Sequence, residues 1–279
     1  MYIEAVTVCV NYSDFLAHTL PHNKQYFNHM VVVTSPEDTA TQAVCQHYDV
    51  ECLVTTEMTQ NGDPFNKAKG INVGLKYLSK RDWVVHLDAD IYLPPLTREI
   101  LERISLQKEN IYGIDRMMCP TFEAWNAYIS KPQPQHTGWV FIHPTMFPMG
   151  VRVGAYKGDG YQPIGFFQMW HPNTSGVKLY PETHGAADRT DVQFCKNWDR
   201  RNRALIPEII GIHLDSENLN LVEMGKNWNG RKTKSFGYGP PSMLEEKSKF
   251  PWKTIAWSVG VGGVGAAIAW ALYNYSNLI

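Results

Sequence analysis

The sequence predicts an α/β fold with a mostly parallel sheet flanked by helices, because strand-like and helix-like segments alternate along the first part of the chain. Short β-branched and apolar runs are typical of buried strands, and they cover residues 3–10, 29–34, 52–55 and 83–87. Helical periodicity marks the segments between and after them, at residues 14–27, 38–48, 65–78 and 94–106. Such alternation produces parallel strands joined by right-handed crossovers, and ligands bind at the carboxyl ends of those strands.

The individual elements follow from local patterns. The run at 3–10 comes directly after Met1 with no basic leader, which predicts a first strand rather than a secretion signal. One face of the segment 65–78 carries the apolar residues Ala68, Ile71, Leu75 and Leu78. The run at 83–87 suits a central strand covered on both faces. The segment 94–106 opens with two prolines and repeats apolar residues at helical spacing, which predicts a helix from residue 94.

Composition excludes several classes of protein. The chain has 279 residues, of which 44% are hydrophobic, and this supply of core residues excludes disorder as the dominant state. Its 26 Lys+Arg and 27 Asp+Glu residues give a net charge of -1, which argues against nucleic acid as a partner. The five cysteines form no CxxC pair, so we expect reduced thiols rather than a disulfide framework.

The end of the chain predicts a membrane anchor. Residues 254–273 contain no charged side chain, and about twenty apolar residues match the ~30 Å hydrocarbon core of a bilayer. Basic residues precede this stretch and none follows it, which predicts a single-pass anchor with the large domain on the cytoplasmic side. The alternative is a buried, glycine-rich core helix.

The same stretch sets the expected domain organisation. We expect a catalytic domain at 1–238, a linker at 239–253 and a transmembrane helix at 254–274. A stripe of small residues within that helix predicts close helix contact and a possible homo-oligomer, and it consists of Ser258, Gly262 and Ala266.

The strongest chemical signal is a pair of carboxylates where an apolar strand ends. Asp88 and Asp90 directly follow the run at 83–87. Because regular backbone stops there, both side chains can reach one point, and oxygen ligands at such a point suit Mg²⁺ or Mn²⁺. The alternative is a solvated turn at the strand end.

Asp88-Ala89-Asp90 resembles the DxD motif of the GT-A nucleotide-sugar glycosyltransferases, particularly the inverting group called family 2. The segment 65–75 is similar to the K-x-x-x-x-N-x-G-L segment of that family. The resemblance implies a GT-A, Rossmann-like fold and a metal-dependent hexosyltransferase. Such an enzyme would transfer a sugar from a nucleotide-diphospho-sugar, UDP-linked by preference, to an acceptor hydroxyl with inversion at the anomeric carbon. It also implies Mn²⁺ or Mg²⁺ as cofactor, Asp90 as a metal ligand, Asp88 as a ligand of ribose or metal, and Lys69 and Asn72 as donor-binding residues.

The resemblance extends to three further acidic residues. Asp38 follows the second strand, where the family usually places a carboxylate that accepts a hydrogen bond from the nucleobase; the alternative is a helix N-cap. Asp191 corresponds to the general base that deprotonates the acceptor hydroxyl, with Asp188 in reserve. The usual Glu-Asp pair is missing at this point, and capping of a helix is the alternative for both residues.

The remaining candidates lie after residue 160. His213, at the end of a late strand-like run, is the expected third metal ligand. A cationic, glycine-containing segment is expected to cover the donor as a mobile lid through Lys226, Trp228 and Arg231. Trp170 and His171 are candidates for stacking against an acceptor sugar, or else they belong to a buried aromatic strand.

Two other classes of function remain open at this stage. A non-catalytic, membrane-anchored binding protein on the same scaffold would keep the sheet and lose metal affinity. A phosphatase-type hydrolase also places Asp-x-Asp after a strand, but it places the pair after the first strand. The acceptor of a transferase is open between a glycan, a lipid and a protein.

Overall fold

The computed structural model describes residues 1–63, 65–119, 122–130, 152–153, 156–157, 160–176, 178–183 and 190–214. The chain divides into two compact units, Met1–Tyr238 and Gly239–Ile279, and every described residue belongs to the first.

Strands and helices alternate through the first half of this unit. The strands are β1 (Ile3–Val8), β2 (His29–Thr34), β3 (Glu51–Val54), β4 (Trp83–Leu87), β5 (Ile91–Tyr92), β6 (Ile111–Met118), β7 (Arg152–Val153), β8 (Tyr156–Lys157), β9 (Gly160–Tyr161), β10 (Phe167–Trp170) and β11 (Arg203–His213). The helices are α1 (Ser13–Asn23), α2 (Thr39–His47), α3 (Lys67–Tyr77), α4 (Thr97–Arg103), α5 (Phe122–Ile129), α6 (Pro172–Ser175) and α7 (Thr190–Cys195).

One large sheet has the strand order β3-β2-β1-β4-β10-β6-β11-β5, with β7 paired to β6. The first half is parallel throughout, as the sequence predicts. The second half is mixed, because β10 runs antiparallel to both β4 and β6. The expectation of a mostly parallel sheet is therefore correct for β1 to β4, whereas the rest of the sheet combines the parallel pair of β6 and β11 with antiparallel neighbours. Antiparallel neighbours need no crossover helix, which explains why the helical periodicity fades there.

The topology brings several chain segments to one edge of the sheet. Since β10 is antiparallel to both of its neighbours, β6 runs parallel to β4, and β11 runs parallel to β6. The carboxyl ends of β1, β2, β4, β6 and β11 therefore lie at the same edge, where β10 begins. We call it the carboxyl edge.

The core explains how α3 is held against the sheet. All five residues of β4 are buried, as expected for a central strand. Ala68, Ile71 and Leu75 are buried on the face of α3 that the sequence predicts. Gly74 lies on the same helix, and a Cβ at that position would clash with Cγ2 of Val6 on β1. The absence of a side chain thus lets α3 lie directly on the sheet.

Helix α4 begins later than the sequence suggests. The prediction of a helix from residue 94 is wrong, because the helix starts at Thr97. A residue that precedes proline is pushed out of the helical region, and this applies to both Leu93 and Pro94. Leu96 then has a left-handed φ of 65°.

The described residues contain no helix that is long and apolar enough to span a bilayer. The predicted transmembrane segment, 254–274, and the predicted linker, 239–253, both lie outside the described residues.

Candidate active site

The turn that carries Asp88 and Asp90 lies at the carboxyl edge, directly after β4. The backbone N–H of Asp88 donates to the carbonyl of Phe166 at 3.0 Å, just before β10. The N–H of Leu214 donates to the carbonyl of Asp90 at 2.9 Å, just after β11. Residues next to β10 and β11 therefore help to fix the backbone of this turn.

Asp90 faces His213. Oδ2 of Asp90 lies 3.0 Å from Nε2 of His213, and the two side chains are 11% and 15% exposed. Burial raises the pKa of Asp90, but the positive charge and hydrogen bond of His213 outweigh it, so the net pKa lies below the ordinary value. An ionised carboxylate only accepts hydrogen bonds, so this contact requires a proton on Nε2. The structure thus brings together two residues that are 123 positions apart.

Asp88 faces in a different direction and contacts Lys67. Nζ of Lys67 lies 2.5 Å from Oδ1 of Asp88, and both side chains are mostly buried. Burial raises the pKa of Asp88 and the charge of Asp90 adds to this, whereas Lys67 offsets part of the rise. Lys67 is the first residue of α3, whose N-cap is Asn66.

A buried histidine lies beneath Asp88. His86 of β4 is 1% exposed, and its Nε2 is 3.4 Å from Oδ1 of Asp88, outside hydrogen-bond geometry. Neither ring nitrogen has a hydrogen-bond partner among the described residues. The ring packs edge-on against Tyr180, with centroids 5.5 Å apart. Burial holds the pKa of His86 well below its ordinary value, so the ring is neutral at pH 7.

Arg116 adds a second positive charge to the site. Its guanidinium lies over the ring of Phe166 at 4.5 Å, and its charge helps to lower the pKa of Asp90. Nε of Arg116 is buried and has no hydrogen-bond partner within the described ranges. Two cationic side chains therefore act on the acidic pair, Lys67 in contact with Asp88 and Arg116 through its charge on Asp90.

Asp191 lies in the first turn of α7 and reaches the loop before β10. Its Oδ2 accepts a hydrogen bond from the N–H of Gly165 at 2.5 Å. A Cβ at Gly165 would come within 2.7 Å of Cβ of Asp191, so glycine permits this approach. Gly165 directly precedes Phe166, whose carbonyl accepts from the N–H of Asp88, so Asp191 and the turn bond to neighbouring residues of one loop. Asp188, the other predicted candidate for the base, lies outside the described residues.

Asp38 is the N-cap of α2, which confirms the capping alternative. Its carboxylate accepts hydrogen bonds from the N–H and hydroxyl of Thr41 at 3.1 and 2.6 Å. It also accepts from the hydroxyl of Thr34 at 3.2 Å and from the N–H of Asn11 at 2.7 Å. These bonds tie the ends of β1 and β2 to α2. Contact of Asp38 with a nucleobase stays a prediction.

The two donor-binding candidates on α3 make structural contacts. Nζ of Lys69 lies 2.8 Å from Oδ2 of Asp63. Asn72 both donates to and accepts from the backbone of Tyr180, at 2.9 and 2.7 Å. The lysine that reaches the acidic pair is Lys67, which sequence reasoning overlooked. Counting back from Asn72 in the K-x-x-x-x-N pattern would have found it.

Trp170 and His171 lie away from the acidic pair. Trp170 is fully buried, packs against Phe194 and pairs with Val84 in the half of β4 remote from Asp88. His171 is the N-cap of α6, and its Nε2 lies 3.2 Å from Oδ1 of Asp82. The buried-strand alternative describes Trp170 correctly, and neither ring faces the carboxyl edge. The expected lid residues Lys226, Trp228 and Arg231 fall outside the described residues.

The acidic pair offers part of a metal site. Within the described ranges, no group of three His, Cys, Asp or Glu side chains is arranged to hold a metal ion. Asp90 and His213 alone converge, while Asp88 contacts Lys67. The donor set of carboxylate oxygen and imidazole nitrogen nevertheless fits Mn²⁺.

Comparison with known proteins gives structural similarity alone. No protein-family model matches the chain, and no curated protein matches it by sequence. Glucosyl-3-phosphoglycerate synthase from Mycobacterium tuberculosis, solved with Mn²⁺ and UDP, is similar at 11% identity and a TM-score of 0.49, over 76% of this chain and 71% of that chain. A protein from Bacillus anthracis, provisionally named a glucose-1-phosphate thymidylyltransferase, is similar at 13% identity and a TM-score of 0.43, over 82% and 100%. Such scores and identities assign neither a family nor an activity to this chain.

Proposed function

We propose that this chain is a metal-dependent glycosyltransferase with a GT-A fold. It transfers a sugar from a nucleotide-diphospho-sugar, UDP-linked by preference, to an acceptor hydroxyl with inversion. The observation that supports this most is the convergence of Asp90 and His213 at the carboxyl edge, directly beside Asp88. The position matters because ligands of α/β sheets bind at this edge.

Asp90 and His213 would hold Mn²⁺ or Mg²⁺ through Oδ2 and Nε2. Nε2 must lose its proton to do so, because a metal ligand is deprotonated at the coordinating atom. Asp88 lies beside them and is available once its contact with Lys67 opens. When bound, the ion neutralises charge that develops on the leaving diphosphate.

The cationic side chains would bind the same diphosphate. Lys67 begins α3, so its ammonium and the positive end of the helix dipole act at one place. Arg116, whose Nε is buried, would contribute a second positive charge near Asp90. Fixed positive charges of this kind stabilise a leaving group without reorganisation during the reaction. Lys226 and Arg231 would add to them in the closed enzyme, with Trp228 over the donor.

Asp191 would act as the general base. One oxygen of its carboxylate is held by the N–H of Gly165, which fixes the orientation of the other. That second oxygen would take the proton of the acceptor hydroxyl as it attacks the anomeric carbon. Asp188 is the second candidate for this role.

We further propose that residues 254–274 anchor the chain in a membrane, with residues 1–238 on the cytoplasmic side. A lipid-linked or membrane-proximal acceptor then becomes the natural choice among glycan, lipid and protein. Fractionation of cells that express the full chain tests this. The proposal requires the protein to stay in the membrane pellet through an alkaline carbonate wash, and release into the supernatant would contradict it.

A non-catalytic binding protein is the second candidate. The contact between Asp88 and Lys67 favours it, because a carboxylate engaged by an ammonium is not available to a metal ion. Calorimetric titration with Mn²⁺ and UDP separates the two candidates, since a scaffold that has lost metal affinity gives no heat of binding for Mn²⁺.

A donor screen tests the proposed activity directly. UDP-, GDP- and CMP-sugars are each incubated with the full chain and Mn²⁺, and release of the nucleoside phosphate is followed. We expect turnover of one donor class, its loss on addition of a chelator, and a loss of about 100-fold or more in Asp90→Asn. Asp63→Asn is the matched control, because Asp63 pairs with Lys69 away from the acidic pair. Full turnover by Asp90→Asn would refute the metal assignment.

A further inference from the structure

The turn 88–93 is held from the side opposite β11 by helix α1. Thr19 of α1 donates its hydroxyl hydrogen bond to the carbonyl of Ala89 at 2.6 Å. A longer contact of the same hydroxyl, 3.4 Å to the carbonyl of Leu16, stays within the helix. Ala89 is the residue between the two aspartates, so the shorter bond reaches the centre of the DxD turn.

Asn23 holds the continuation of the turn. Its side-chain amide donates to the carbonyl of Ile91 at 2.7 Å and accepts from the N–H of Leu93 at 2.9 Å. The amide therefore bonds to β5 as a neighbouring strand would. On the other edge of β5, Ile91 pairs with His213 of β11. The strand is thus held between Asn23 and the strand that carries the histidine.

Thr19 and Asn23 stand out on α1 by their chemistry. They are four residues apart and so lie on the same face of the helix. That face also carries buried Phe15, Leu16 and Leu20, and both polar residues are only 1% exposed. A buried polar side chain is costly unless it is hydrogen-bonded, and the bonds to residues 89–93 satisfy this requirement.

We propose that Thr19 and Asn23 are positioning residues, which set the carboxylate of Asp90 against His213 for a divalent cation. The inference rests on the proposed function, in which Asp90 and His213 hold the ion. The carbonyl of Ala89 and the nitrogen of Asp90 belong to one rigid peptide plane. A hydrogen bond that fixes the direction of this carbonyl therefore fixes the bond that leads to Cα of Asp90. Rotation of the plane would turn the carboxylate away from His213.

The expected effect is a loss of metal affinity rather than of chemistry. Partners that orient a metal ligand change affinity by about 10- to 100-fold when they are removed. Because the carbonyl of Ala89 is one residue away from the ligand, we place Thr19→Val at the lower end, about 10-fold weaker for Mn²⁺. Turnover at saturating Mn²⁺ should return close to that of the wild type.

The experiment measures binding of Mn²⁺ to the full chain in the presence of UDP, with free Mn²⁺ read by electron paramagnetic resonance. Thr19→Ser keeps the hydroxyl and should bind Mn²⁺ like the wild type. Thr7→Val is the matched control, because Thr7 is 1% exposed in β1 and its hydroxyl has no partner among the described residues. Thermal unfolding is recorded for each variant. If Thr19→Val does not fold, Asn23→Ser carries the same expectation of weaker binding.

Each outcome decides the matter. Weaker binding in Thr19→Val alone, with Thr19→Ser and Thr7→Val unchanged, supports the positioning role. Unchanged Mn²⁺ affinity in Thr19→Val, or equal losses in Thr19→Val and Thr7→Val, overturns it while leaving the proposed function intact. A wild-type chain that binds no Mn²⁺ defeats the proposed function and this inference together.

Discussion

Two lysines on the first turn of α3 allow a sharp test of the site, because they are alike in burial and differ in their partner. Lys67 contacts Asp88, and Lys69 contacts Asp63 at 2.8 Å. Their side chains are 17% and 13% exposed. Replacing each by methionine keeps the length of the side chain and removes its charge. Any difference between the two variants therefore reports the location of the charge rather than its loss.

The magnitude follows from the contacts. Lys67→Met removes a hydrogen bond between charged groups, worth about 1.5–3 kcal/mol, and Lys69→Met removes the pair with Asp63, so both variants should lose some stability. Lys67→Met also removes the ammonium that the proposed function places against the diphosphate. The lost contact with the phosphate, if worth about 1.5 kcal/mol, weakens UDP binding by about 10-fold. Lys69→Met should bind UDP like the wild type.

The assay is calorimetric titration of UDP into each variant at saturating Mn²⁺, with urea unfolding measured in parallel. We expect some loss of stability in both variants and a selective loss of UDP affinity in Lys67→Met. Equal UDP affinities in Lys67→Met and the wild type would show that the cation at the acidic pair does not face the donor. A loss confined to Lys69→Met would restore Lys69 as the donor-binding lysine.

Three further predictions concern stability. Glu4 is fully buried and accepts hydrogen bonds from the N–H and hydroxyl of Ser79 at 2.9 and 2.8 Å. Glu4→Ala should therefore lower the free energy of unfolding in urea by about 3–5 kcal/mol. A loss below about 1 kcal/mol would contradict this prediction. Gly74→Ala should also destabilise the fold, by about 1–3 kcal/mol, because the new Cβ would clash with Val6. A gain in stability from helix propensity would instead show that the sheet moves to accommodate the Cβ. His86 stays neutral when folded while the unfolded chain takes up a proton, so stability should fall as pH drops below about 6.5. His86→Gln should reduce that fall in unfolding curves recorded with a chelator, and identical slopes for the two proteins would exclude His86 as its source.

The parallel half of the fold could be predicted because its signals are local. β1, β2 and β4 are almost completely buried, so their residues form largely apolar runs, which in β1 and β4 are interrupted by Glu4, Thr7 and His86. The position of β10 could not be predicted in the same way. Its place between β4 and β6 depends on partners far away in the chain, which a local pattern does not report.

The candidate site, like the fold, could be predicted only in part. The position of Asp88 and Asp90 after a buried strand was enough to place them at the carboxyl edge. Helical periodicity could not decide between Lys67 and Lys69, because both lie in the first turn and the choice depends on how α3 packs on β1. Thr19 and Asn23 are polar residues on the apolar face of α1, and such residues must find hydrogen-bond partners in the core. Their positions could therefore have predicted a contact of α1 with the backbone of another element.

The contact between Asp90 and His213 also has a consequence for biosynthesis. The two residues are 123 positions apart, and the chain between them includes β6, β10 and α7. At about 5–20 residues per second, a ribosome needs roughly 6–25 s to add that stretch. During this time β1 to β4 and their helices can already pack together, but the turn with Asp88 and Asp90 has no contact with His213 until β11 is synthesised. Ribosome-bound chains that end before residue 213 would therefore present the parallel half with an acidic turn that lacks its contact with His213.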